Sequence, residues 1–255
     1  MDLDNKNGFV NLDKIDTICF LTFGHPASNC FPSVLLNNLI QKINQLSIDD
    51  TVSVVVLQSF GDKSFCAGAS FDELLLVSNL EQGTAFFSGF ANLVLAIKNC
   101  KKLMIARVQG KAVGGGVGII AACDYVFATT NAFIKLSELA IGIGPFVIEP
   151  VVSKKIGQTA MYQLALNPLE WKSANWSLDK GLYSEVFDTI EEMDFAIKNY
   201  TQMISSINPP AIVALKEVFW QETEHWKTML LERASVSGKL VLSDFTKKAL
   251  AKFNK

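Results

Sequence analysis

The chain has 255 residues, 49% of them hydrophobic and only 19% charged, with a formal net charge of -2. That balance supports a large buried core and excludes the basic footprint of a nucleic-acid binder. The apolar stretch 113–123 is too short and too glycine-rich to cross a membrane, and the first residues hold no basic segment followed by an apolar block, so neither a membrane span nor a secretion signal is expected. The five cysteines (Cys19, Cys30, Cys66, Cys100, Cys123) are scattered and form no C-x-x-C pair, which fits free thiols in a reducing cytoplasm. His25 and His225 are the only histidines, so a histidine-rich metal site is not expected and both read as surface or packing residues.

In chain order, 17–23 reads as a strand. Apolar residues at 34, 35, 36, 39, 40, 43 and 46 predict a helix over 32–46. The β-branched run 52–58 is a buried strand, and 71–80 a helix with Ser70 as N-cap and Glu73 at its third position. A long apolar-striped helix covers 81–99, and strands are expected at 103–108, 123–129 and 133–136. This alternation predicts an α/β core. Beyond Val151 helical spacing dominates, over 151–166, 191–206, 210–222 and 224–238, with a break at Asn208-Pro209-Pro210. The chain divides into an α/β body, 1–195, and a helical region, 196–255, packed on its own body or exchanged between bodies. No fixed-period repeat is visible.

Between the strand at 103–108 and the apolar run Ile119-Ile120-Ala121-Ala122 lie five glycines in nine positions, from Gly110 to Gly118. Glycine costs entropy wherever it is fixed, so such a cluster needs a reason. It is either a tight strand-to-helix packing joint or a place where a ligand meets the backbone. In the second case a helix N-terminus supplies free N–H groups to an oxygen gathering negative charge. The loop Ser64-Phe65-Cys66-Ala67-Gly68-Ala69-Ser70 has the same character, and two such loops can share one oxyanion.

These two loops, with Cys123-Asp124, Ser137-Glu138 before Leu139-Ala140-Ile141-Gly142, Lys154-Lys155-Ile156-Gly157 and Lys180-Gly181-Leu182, resemble the enoyl-CoA hydratase/isomerase (crotonase) family over nearly the whole chain. The resemblance implies a crotonase-like spiral of ββα units whose C-terminal helices build trimer contacts, in a homotrimer or dimer of trimers. It implies an acyl-CoA substrate and no cofactor beyond the coenzyme A of that substrate. The thioester oxygen would accept N–H groups from Ala69 and Gly115. Ala67 and Gly68 would lie beside the coenzyme A, with Gly114, Gly118, Pro145 and Phe146 also at the substrate. Pro26 and Asn29 of the loop 25–29, and Lys252 and Phe253 near the C-terminus, match coenzyme A contacts.

Hydrogen-bonding a thioester oxygen acidifies the neighbouring carbons. The remaining requirement is a carboxylate base whose pKa is raised by desolvation. Hydratases of the family resemble one another in having two glutamates. Here one matches Glu138, whereas the other falls at Gly118, which leaves room for a bulky acyl group instead. A lone carboxylate shuttles protons more easily than it adds water, and the Pro145-Phe146 pair is also similar to isomerases. Enoyl-CoA isomerisation is therefore the leading expectation. The alternatives are hydration, including of methylglutaconyl-CoA-like substrates, decarboxylation of an acyl-CoA, and an inactive coenzyme A-binding subunit. Glu149 is a candidate second carboxylate or a plain helix charge. Asp72 and Glu73 read as capping groups, Asp124 as structural, and Cys66 as a thiol without a histidine partner. Phe86, Phe87, Phe90 and Trp171 read as core or interface, with the Phe cluster also able to line an acyl pocket.

Overall fold

The β-branched run forms the central strand β3 (Val54–Ser59) in the computed structural model, which describes residues 6–253. It belongs to a six-stranded sheet with β1 (Phe9–Ile15), β2 (Ile18–Gly24), β5 (Leu103–Val108), β7 (Tyr125–Thr129) and β9 (Glu185–Phe187), in the order β1-β2-β3-β5-β7-β9. β1 and β2 are an antiparallel hairpin, and every later pairing is parallel. A smaller parallel sheet stacks β4 (Ser64–Cys66), β6 (Lys111–Val113) and β8 (Ile134–Lys135).

Each long strand is followed by a short one and then by helix, so three ββα turns wind into the spiral that the resemblance implies. After β3 and β4 come α2 (Phe71–Leu76) and α3 (Leu80–Asn99). After β5 and β6 comes α4 (Gly115–Ala122), and after β7 and β8 a 3₁₀ turn (Glu138–Ile141) and α5 (Glu149–Ile156). The long strands start at 54, 103 and 125, and these unequal steps hide the repeat from any fixed period. The short strands have three residues or fewer, too few for alternation to register.

Side chains alternate across the sheet as the pleat requires. Val55 and Leu57 face the main core with α1 (Ser33–Ser47) and α3, whereas Val54, Val56, Ile105 and Phe127 pack under Met193 and Ile197 of α8 (Ile190–Ser205). The boundary drawn at 195 lies within α8.

Several boundaries move. The helix read at 71–80 stops at Leu76, and Asn79 caps α3 by accepting the Gln82 N–H at 2.9 Å. Ser70 does cap α2, but the Glu73 carboxylate turns to the Ser33 N–H and hydroxyl, joining α2 to α1. The helical stretch 151–166 splits into α5 and α6 (Gln158–Ala165) at Gly157, where φ is +77°. Two short helices, α7 (Ala174–Asp179) and α11 (Asp244–Leu250), complete the set with α9 (Pro209–Phe219) and α10 (Trp226–Leu240).

The helical third packs on its own body. α10 crosses α3 at a glycine pair: a Cβ on Gly83 would stand 2.7 Å from the Gly238 oxygen. α11 then lies over the 3₁₀ turn, with Phe245 and Thr246 against Gly142. Leu230 and Ala234 of α10 join the main core. All five cysteines are free and buried, and among the described residues no helix is long and apolar enough to cross a membrane.

Candidate active site

The three strands of the small sheet run parallel, so their C-terminal ends open on one side, where such sheets place ligands. Each end delivers one part of the site. After β4 the loop 67–70 is held by Phe31, whose N–H donates to Gly68 O at 2.8 Å and whose carbonyl accepts the Ser70 N–H at 3.1 Å. Ala67 N–H donates to Ser28 O, and Gly68 N–H to Cys66 Sγ at 3.2 Å. Successive N–H groups of an extended segment point to opposite sides. The Ala69 N–H thus faces away from Phe31 and has no acceptor among the described residues.

After β6, Gly114 takes φ +53° and ψ -121°, a conformation open to glycine alone, while its N–H donates to Lys135 O at 2.9 Å. The chain then enters α4, and the Gly115 N–H is left unpaired, as first-turn donors are. Gly115 tolerates no side chain, since a Cβ would sit 2.2 Å from Phe90 Cε1. Gly116 is pressed likewise against Cys66. The glycines therefore serve packing and an open backbone at once.

After β8 come Ser137 and Glu138, which starts the 3₁₀ turn closed by Gly142 at φ +83°. The residue is half-buried, but Oε2 is sealed from solvent and has no hydrogen-bond partner among the described residues. Desolvation pushes the Glu138 pKa from 4.5 up to about 7, against a smaller lowering by its own main-chain N–H. Ala67, Gly68, Ala69, Gly114, Gly115 and Glu138 line one cavity of about 100 Å³. Its walls are otherwise mostly apolar, with Phe87, Phe90, Pro145 and Ile148 among them. Two free amides and a carboxyl group with one unpaired oxygen thus line a mostly apolar pocket, an arrangement able to stabilise an oxyanion beside a proton-transfer group.

The profile of the enoyl-CoA hydratase/isomerase family matches residues 13–253. The chain belongs to the enoyl-CoA hydratase/isomerase family. It is an acyl-CoA enzyme of that family, and its relatives differ in reaction. It is 26% identical over 235 residues to the bacillaene synthase dehydratase PksH of Bacillus subtilis, covering 89% of this chain and 86% of that one. It is 27% identical over 197 residues to the peroxisomal Δ(3,5)-Δ(2,4)-dienoyl-CoA isomerase of Arabidopsis thaliana, covering 71% and 69%. Its fold matches the crystal structure of an enoyl-CoA hydratase from Bacillus halodurans with a TM-score of 0.89 at 22% identity, over 96% of this chain and 99% of that one.

Other expected site residues of this enoyl-CoA hydratase/isomerase family member lie outside the lining of this cavity. Gly118 does not open onto the pocket: a Cβ there would be 2.3 Å from Ile148 Cγ2, so the space belongs to Ile148 and not to an acyl group. Phe146 is also off the cavity wall and packs over Gly144, while its carbonyl accepts from Arg233. Glu149 is neither a second site carboxylate nor a free charge. It pairs with Arg233 and accepts the Ser153 hydroxyl, joining α5 to α10. Asn29 is buried, accepting the His25 N–H and donating to Phe60 O and Ser64 O, so its side chain is committed to holding loops together. Pro26 and Lys252 are exposed, and the Phe253 side chain lies outside the described residues. Asp72 is exposed, and Asp124 is structural as read, accepting the Met104 N–H at 2.8 Å. Cys66 is buried beneath the amide loops, while the thiol beside a histidine is Cys30, 3.2 Å from His25 Nδ1. Burial pushes the Cys30 thiol up to about 11, so it stays protonated. Trp171 carries Lys111 and Lys135 over its ring.

Among the wall residues that the sequence does not point to, two bear on the chemistry, Ile148 and Ser237. Ile148 lies thirty positions beyond Gly118, with no local pattern to link them. Ser237 was within reach, because Trp226, Leu230, Ala234 and Ser237 form a helical stripe that breaks its apolar character at the last position.

Proposed function

We propose that this protein shifts the double bond of an enoyl-CoA, with Glu138 as the single proton carrier. The Ala69 and Gly115 N–H groups would hold the thioester oxygen, each such donor being worth roughly 3–4 kcal/mol to the transition state. The Glu138 carboxylate takes a proton from C2 of a 3-enoyl-CoA. The C–H electrons pass into a dienolate whose charge rests on the held oxygen. The carboxylic acid returns the proton at C4, giving the 2-enoyl-CoA and the original carboxylate. No water is consumed.

The observation that carries this reading is Ile148 occupying the space at Gly118. A methyl-bearing side chain stands where a second carboxylate would be needed to grip water. The apolar walls point the same way, since a dry pocket protects an enolate and raises the base. A cavity of roughly 150 Å³ takes a benzene-sized guest, so about 100 Å³ fits a short acyl group. Ala67 and Gly68, at the pocket edge, would border the coenzyme A. A homotrimer or dimer of trimers is proposed with it. Exposed apolar side chains such as Leu166, Phe195 and Phe219 support that assembly, and light scattering tests it.

The purified protein is offered a 3-enoyl-CoA and, separately, a 2-enoyl-CoA, with Glu138→Gln as control. Conversion of the first to the second, lost in the variant, supports the reading. A 3-hydroxyacyl-CoA product would replace it with hydration. Binding without turnover of either would replace it with a non-catalytic role.

A further inference from the structure

The Ser237 side chain is the buried hydroxyl that the proton transfer leaves unused. The residue is 1% exposed, lines the same cavity as Glu138, and its Oγ has no hydrogen-bond partner among the described residues. A helical serine ordinarily turns back to the carbonyl one turn earlier. Here it does not. The Gly83–Gly238 contact seats α10 directly on α3 and holds the neighbouring Ser237 at the pocket wall. A hydroxyl kept dry and unpaired on a mostly apolar wall is unfavourable unless a ligand completes its hydrogen bond.

The charge of the pocket narrows the ligand. No lysine, arginine or histidine is among the lining residues. Arg233, one turn before Ser237, is engaged by Glu149 and the Phe146 carbonyl. A second carboxylate on the acyl group would therefore meet no cation there and would face Glu138 instead. A neutral oxygen, which a serine hydroxyl can both donate to and accept from, has no such difficulty.

We propose that Ser237 is a specificity-determining residue that hydrogen-bonds a hydroxyl or keto oxygen on the acyl chain, so that the preferred substrate is an oxygenated short-chain acyl-CoA. This rests on the acyl-CoA pocket proposed above but not on its isomerase chemistry.

Binding separates the two. Calorimetry measures the affinity of wild type and Ser237→Ala for butyryl-CoA and for saturated acyl-CoAs with a hydroxyl at C3, C4 or C5. Wild type should bind at least one hydroxyacyl-CoA roughly tenfold more tightly than its unsubstituted counterpart, and the variant should lose that preference while holding butyryl-CoA unchanged. The variant should melt no lower than wild type, because it removes an unpaired buried group. Equal affinities for plain and oxygenated ligands in wild type would overturn the proposal, as would an equal loss for both in the variant. If the hydroxyl preference holds but no 3-enoyl-CoA is turned over, the isomerase reading fails alone. If no acyl-CoA binds, both fail.

Discussion

Glu138 Oε1 lies directly over Gly114, so that a Cβ on that glycine would stand 2.9 Å from the carboxylate oxygen. The carboxyl group and the glycine turn that opens α4 therefore fit each other. Gly114→Ala should both strain a positive-φ backbone, by roughly 1–3 kcal/mol, and push the carboxylate aside. We expect a lower melting temperature together with a fall in kcat that exceeds what the lost folded fraction explains. Unchanged kcat per folded molecule would show that the carboxylate position is not critical.

In the proposed mechanism Glu138 sets the pH dependence. The basic form is required for proton removal, and its pKa stands near 7. The kcat/KM of the free enzyme should thus be level above pH 8 and fall about tenfold per unit below pH 6. Glu138→Gln should lose at least about a hundredfold at pH 8. A flat profile from pH 5 to 8 assigns the proton transfer to another group.

Stability should follow the opposite course. A carboxyl group whose pKa is higher folded than unfolded ionises more readily in the unfolded chain. Its presence is neutral below pH 4.5 and costs increasing stability up to about pH 7, on the order of a few kcal/mol. Glu138→Gln should therefore melt above wild type at pH 8, with the gap closing towards pH 4.5. Differential scanning calorimetry across that range checks the sign.

Under the proposed isomerase mechanism, a second carboxylate at position 118 should change the product. Gly118→Glu alone overpacks against Ile148 and should lower stability by about 1–3 kcal/mol. Adding Ile148→Gly removes the obstruction and places a second carboxylate beside the first. The double variant relieves the overpacking but buries a second carboxylate and loses the Ile148 side chain, so it should stay less stable than the parent, while forming more 3-hydroxyacyl-CoA from a 2-enoyl-CoA than the parent does. No gain of that product in a well-folded double variant would count against the proposed role of the missing carboxylate.

Away from the pocket, Lys216 anchors α9 to the body. Its ammonium donates to Asp124 Oδ2 at 2.8 Å and to the carbonyls of Ile97 and Lys102, and Trp220 Nε1 donates to Asp124 Oδ1. Both partners of the pair are 7% exposed. Lys216→Met leaves a buried carboxylate uncompensated and should cost about 3–5 kcal/mol in chemical denaturation, with kcat of the folded fraction unchanged.

Much of this was legible along the chain. The long strands β3 and β5 and the helices α1, α3 and α8 have enough residues for periodicity to show. The two glycine-bearing loops announced an exposed backbone, and Glu138 stood out as a charge set in an apolar run. The short strands β4, β6 and β8 were less readable. They contain too few residues to carry a pattern, although they are what gathers the three loops. Asn29 matched a ligand contact by position but is held by His25, Phe60 and Ser64, a commitment no local sequence reveals.

By itself the sequence determined the alternation of strands and helices, the glycine turns, the family and Glu138 as the candidate carboxylate, because each is written in neighbouring residues or fixed spacings. Only the tertiary structure decided what fills the place at Gly118, where Glu149 finds its cation, and that Ser237 reaches the cavity. Those are contacts between segments far apart in the chain, and dense packing, not local propensity, chooses such partners.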